Sequence, residues 1–167
     1  MKLAYIDFLE TEKGYKAGVL VTDEMTKPLE FRITQDVQID ELQKILYGEA
    51  LENILYKEKF AVELINALHE DFDVLLTREK FLLSLREEIG KPILYIEKHD
   101  PFKAIDKNSY KITNIADKFP PLVVTISSQD EKHLVSLAKK LQDIYKSFNI
   151  LEPFNRIQKA IDYLSKE

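Results

Sequence analysis

The sequence predicts an α/β fold: a mixed sheet of five or six strands, built from a three-stranded antiparallel meander plus helix-linked parallel strands, with flanking helices. Three observations predict it. Residues 2–34 carry apolar side chains at every second position, the period of a half-buried strand. After Asp36 the apolar spacing changes to three and four residues, the period of a helix. Beyond that, short apolar runs alternate with amphipathic stretches and turn signals, as in helix-linked strands.

Residues 2–10 place Ala4, Ile6 and Phe8 on one face and Leu3, Tyr5 and Asp7 on the other. Gly14 tolerates the positive φ of a short hairpin, so Ala17–Thr22 returns as a second strand. Pro28 opens a third, in which Leu29, Phe31 and Ile33 alternate with Glu30, Arg32 and Thr34. Residues 40–68 are read as a long helix behind an Asp40 N-cap, with Gly48 bending or splitting it at a cost of about 1 kcal/mol relative to Ala. Leu42, Leu46 and Ile54 of that helix are expected to pack on Ala4, Ile6, Phe8, Val19, Val21, Phe31 and Ile33. "FDVLLT" is a fourth strand, apolar enough to be covered on both faces; Glu79–Ile89 is a helix closed by Gly90, and "ILYIE" is a fifth strand. Strands joined through a helix run parallel with a right-handed crossover, which sets the fourth strand beside the first. Residues 1–98 thus form a β-β-β-α-β-α-β core, and residues 99–121 an irregular connection in which Tyr110 and Ile112 suit a short edge strand. Residues 122–167 supply a sixth strand, "LVVTIS", a helix capped by Asp130, and a final helix with Pro153 in its first turn, where the missing N–H costs nothing. The whole of 1–167 reads as one domain.

Composition bounds the function. A net charge of -5 counts against nucleic acid, whose phosphates need concentrated positive charge. No cysteine means no disulfide and no thiolate chemistry; no long apolar run means no spanning segment, so a cytoplasmic address is expected. The excess of Lys and Glu is a bias seen in thermophile proteins.

Few motifs carry chemistry. Gly14, Gly18, Gly48 and Gly90 are too dispersed for a phosphate-cradling loop, and His69, His99 and His133 lack zinc-ligand spacing, so no cofactor is expected. The second hairpin sets Thr22 and Asp23 at the bend and Glu30 and Arg32 beyond it; with Tyr47, beside the Gly48 break, these are the candidate binding residues. Arg32 stands out because only Arg32, Arg78, Arg86 and Arg156 are arginines among 24 basic residues. Where Lys is the default surface cation, Arg marks a place that needs a planar fork. Arg32 is expected on a partly exposed surface with an acidic or Tyr neighbour, on the sheet face the first helix leaves open.

The order of elements resembles the ribonuclease H-type core, in topology alone. That resemblance implies metal ions held by acids from strand 1, the first helix and the end of strand 4. Asp7, Glu49 and Glu79 are the nearest candidates, with Glu41, Glu52 and Glu63 also on the helix; "TREK" ends strand 4 awkwardly for that purpose. Otherwise Asp7 is expected to pair with Arg32 or Lys16. Separately, "GVLVTDEMTKPLEFRITQDVQIDELQKILYGEAL" and "NILEPFNRIQKAIDYL" resemble segments of a group of bacterial hypothetical proteins, which implies no substrate. With no reactive constellation evident, the favoured expectation is a non-catalytic binding or assembly protein whose partner is a protein, including a second copy of itself. The alternative is a metal-dependent phosphoesterase or nuclease of the ribonuclease H type.

Overall fold

In the computed structural model, which describes residues 1–166, one sheet of seven strands runs through the chain in the order β3-β2-β1-β4-β5-β7-β6. The meander is β1 (Leu3–Thr11), β2 (Gly14–Thr22) and β3 (Pro28–Ile33), antiparallel throughout. The helix-linked strands β4 (Val74–Thr77) and β5 (Ile93–Lys98) are parallel to each other, and β4 is parallel to β1. The sheet exceeds the expected count because the weakly patterned connection contributes β6 (Ser109–Ile112) as an outer edge. The last strand, β7 (Leu122–Ile126), lies antiparallel between β5 and β6.

Helices cover both faces. One core joins Leu3, Tyr5, Leu20, Leu76, Leu94 and Val124 to the C-terminal helices α4 (Leu134–Tyr145) and α5 (Glu152–Ser165) through Leu141, Tyr145, Phe154, Ile157 and Ile161. The other joins Ala4, Ile6, Phe8, Val19 and Val21 to the helical segment after the meander and to the 3₁₀ turns at Lys80–Glu87.

That segment is not one helix. Asp40 caps α1 (Glu41–Tyr47) in a reciprocal box with Gln43, and Gly48 ends it at φ +56°. The chain then continues as α2 (Ala50–Asn53), a π-helical stretch at Ile54–Ala61, and α3 (Val62–Ala67). The wider π turn keeps Leu51, Leu55, Tyr56, Phe60 and Leu64 on the sheet side, with the Tyr56 ring stacked on Phe8 at 4.2 Å. Beyond the Gly48 break α1 buries nothing: Leu42 and Leu46, expected in the core, are 64% and 74% exposed, and Ile54 lies at the rim.

The register of β3 also departs from expectation. Residues directly opposite in a ladder share a face, and Phe31 lies opposite Leu20 while Ile33 lies opposite Gly18. Both therefore face α5, whereas Val19 and Val21 face the other way. Alternation fixes which residues of a strand go together, not which face of the sheet they join.

Candidate functional site

The ladder between β1 and β4 stops at Ile6 opposite Thr77, so Asp7 is the first residue of β1 beyond the end of β4. Strand order reverses at this pair, which is where open α/β sheets form crevices. Asp7 shares its face with Leu3 and Tyr5 and so looks towards α5. Its partner on β2 is Gly18, and that glycine brings α5 close: a Cβ there would stand 2.9 Å from Ile157 Cγ2 and 3.3 Å from the Phe31 ring. One residue further along α5, Gln158 Nε2 donates to Asp7 Oδ2 at 2.8 Å and to the Phe8 carbonyl at 3.0 Å. From the end of β4, Arg78 folds back and donates Nη2 to the same Oδ2, its guanidinium lying 4.9 Å from the centre of the Phe154 ring. Asp7 is buried and Arg78 is 39% exposed, so the pair is a buried anion under a half-open cation. Neither Nε nor Nη1 of Arg78 has a hydrogen-bond partner among the described residues. A guanidinium with N–H groups to spare suits a phosphate or carboxylate.

Glu79 follows Arg78 and meets different neighbours. Burial, then the charges of Glu52 and Asp7, push its carboxyl above the usual carboxylate range, with Arg78 opposing. Tyr95 on β5 lies opposite Thr77, and burial followed by Glu97 pushes its phenol up to about 12. On the other face at this end of the sheet, where Tyr95 pairs with Thr77 and Thr125, a cavity of about 240 Å³ is lined by Lys80, Lys103 and His99 and by the acids Glu97, Asp100 and Asp106. A larger cavity, about 870 Å³, opens at the N-terminal ends of the parallel strands between Met1, Asp73, Pro92 and α4. Its mixed lining converges on no single group, so the end that holds Asp7 is the better candidate.

A divalent cation does not fit this arrangement. The described residues contain no group of three or more His, Asp or Glu able to hold a metal ion. Asp7 Oδ2 already accepts from Arg78 and Gln158. Of the three acids named from the sequence, Asp7 and Glu79 come together; Glu49 stands exposed at the start of α2, and Glu52 takes the position near Glu79 instead. Asp7 pairs with neither Arg32 nor Lys16, whose ammonium lies 3.6 Å from Asp36. Sequence reasoning missed Gln158 and the role of Arg78. The scarcity of arginine was the available signal for Arg78, and it was spent on Arg32.

Four of the residues singled out from the sequence around the second hairpin make contacts within the fold. Thr22 is fully buried and donates to the Asp23 carbonyl; Asp23 Oδ1 accepts from the amides of Met25 and Lys27 and shapes the turn. Glu30 accepts from the amides of His69 and Glu70 at 2.9 and 2.8 Å and from Arg32 Nε at 2.7 Å, tying the end of α3 to the edge strand. Burial alone would raise the Glu30 carboxyl, but the Glu70 amide, the Arg32 guanidinium and the His69 amide outweigh it and hold it low. Arg32 does have an acidic neighbour. It is partly exposed and stands opposite Val19, on the face covered by the helical segment after the meander rather than the face covered by α5. Tyr47 is half exposed on α1.

No protein-family model matches the sequence, and no curated protein matches it. Solved structures share its shape. Endonuclease V from Streptomyces avermitilis superposes with a TM-score of 0.55 at 13% identity, over 99% of this chain and 82% of that one. Argonaute from Marinitoga piezophila, in complex with 5′ OH guide RNA and target DNA, superposes with a TM-score of 0.51 at 13% identity, over 96% of this chain and 29% of that one. At such identities the likeness is one of fold, and that fold is ribonuclease H-like. Two expectations are corrected by these neighbours. The preference for a non-catalytic protein-binding module gives way, because the shared architecture is that of nucleases. So does the exclusion of nucleic acid, since one neighbour is itself a nucleic-acid complex. Whole-chain charge averages over a surface of which a site is a small part, so it does not settle the charge of any one site.

Proposed function

We propose that this chain processes nucleic acid, engaging the phosphodiester backbone at the C-terminal ends of β1 and β4. The observation that carries the reading is the convergence of Asp7 and Arg78 at the point where the strand order reverses. A guanidinium fixed by a buried carboxylate and an aromatic ring presents a planar donor edge to a phosphate without losing rotamer freedom on binding. Glu79 follows Arg78 in the chain, its carboxyl pushed up by burial and by the charges of Glu52 and Asp7. The ribonuclease H-like fold supports the reading. No helix of the described residues is long and apolar enough to cross a membrane, and a cysteine-free chain suits the reducing cytoplasm in which we place it.

The test uses end-labelled single-stranded DNA, RNA and duplexes of both. Binding is followed by fluorescence anisotropy and cleavage on denaturing gels, each in Mg²⁺, Mn²⁺ and EDTA. Retention of at least one of these polymers at low salt is expected, weakened when Arg78 is replaced. Failure to retain any of them in every buffer would overturn the proposal.

A further inference from the structure

In nucleases of the ribonuclease H type, carboxylates from strand 1 and the end of strand 4 hold divalent cations that stabilise the phosphodiester. In this chain the residue that follows β4, level with Asp7, is not an acid but Arg78. We infer that the Arg78 guanidinium occupies the place of the cation: it neutralises Asp7 and itself takes a phosphodiester oxygen, so that nucleic acid is bound without a divalent metal. The inference rests on the functional reading above and names the group that recognises the backbone.

Three features of the site support it. The cation is built in, because one Asp7 oxygen receives both the guanidinium and the Gln158 amide. Both donors are braced. Arg78 lies on the Phe154 ring, and Gln158 is fixed a second time by the Phe8 carbonyl. Finally, Arg78 is 39% exposed, and its Nε and Nη1 are without partners among the described residues, so N–H groups remain for a ligand. Glu52 and Glu79 bear on the site electrostatically and oppose an anion. Glu79 also acts on Tyr56 and Tyr95, whereas the guanidinium lies on the Phe154 ring of α5.

The experiment measures anisotropy of a labelled single-stranded oligonucleotide in EDTA and in Mn²⁺, with wild type and two variants, alongside Mn²⁺ titration calorimetry on the free protein. Arg78→Ala alone strands a buried carboxylate and endangers folding, so the informative variant is the double replacement Asp7→Asn with Arg78→Gln. It removes both charges together and keeps hydrogen-bonding side chains. Arg78→Lys keeps the charge and loses the fork. Equal affinity in EDTA and Mn²⁺ is expected, with a loss of roughly tenfold in the double variant at unchanged circular dichroism and an intermediate loss in Arg78→Lys. Binding that requires Mn²⁺, binding indifferent to the double variant, or Mn²⁺ uptake abolished by the double variant would each overturn the inference while leaving the nucleic-acid reading intact. No retention under any condition would instead remove the reading on which it rests.

Discussion

Arginine is used sparingly in this chain, and every one of the four ends on a carboxylate. Arg32 meets Glu30, Arg78 meets Asp7, Arg86 meets Asp130, and Arg156 meets Glu152. Against a background of lysine, the choice of a planar fork was therefore legible as a signal, but not which arginine faces a crevice; that depends on contacts across 71 residues in the case of Asp7 and Arg78. Arg86 and Asp130 show the structural use of the same pair, since both are largely buried and clamp the 3₁₀ turns at Lys80–Glu87 to those at Ser128–His133. Glu79 is the residue whose environment works against its charge. A carboxyl with a higher pKa folded than unfolded binds its proton more readily in the folded state. Folding stability then falls as pH rises from the ordinary value of 4.5 through the folded value, and the loss is complete above it. Replacing Glu79 by Gln is accordingly expected to stabilise the protein at neutral pH and to leave it unchanged at acid pH. Urea midpoints measured for both proteins across that span check this, and a gap that stays constant with pH would contradict it.

Among the elements, the strands were legible and the helical segment after them was not. Alternation located β1 and β3, where a half-buried strand needs only a period of two, and short apolar runs located β4, β5 and β7. Residues 40–68 keep helical spacing throughout, yet only the part from Leu51 onward packs on the sheet. Periodicity shows that a stripe exists; it does not show that a partner covers it, and the direction change at Gly48 takes α1 away from the core. The close approach of α5 to β2 likewise has no sequence signature beyond a small residue in a strand. Gly18 permits it, and the reach of Gln158 to Asp7 depends on it. Gly18→Ala is expected to push Ile157 away, to cost about 1–3 kcal/mol through overpacking, and to loosen the Asp7 pair. Denaturant unfolding gives the first quantity. A variant as stable as wild type would show that α5 accommodates the methyl group and that the spacing is not critical.

At the scale of the whole molecule, connectivity carried the most information. Three antiparallel strands followed by two helix-linked ones leave few arrangements once crossovers must be right-handed, and the observed order places β4 beside β1 as those rules require. Net charge carried the least. A chain at -5 can still hold a backbone if a few cations are fixed in the right place, and this one offers Arg78 and, in a separate groove shared with Glu97, Asp100 and Asp106, Lys80 and Lys103. That small number has a measurable consequence. Each phosphate neutralised on a single strand contributes about -0.7 to the slope of log affinity against log salt, so three contacts limit it to about -2. Proteins that bind through a broad basic patch give far steeper slopes. Anisotropy titrations at a series of KCl concentrations are expected to give a slope no steeper than about -2, flattened by about 0.7 when Arg78 is removed together with Asp7. A steep slope, or one that ignores Arg78, would mean that the backbone lies on some other surface of the chain and that the convergence at β1 and β4 serves only the fold.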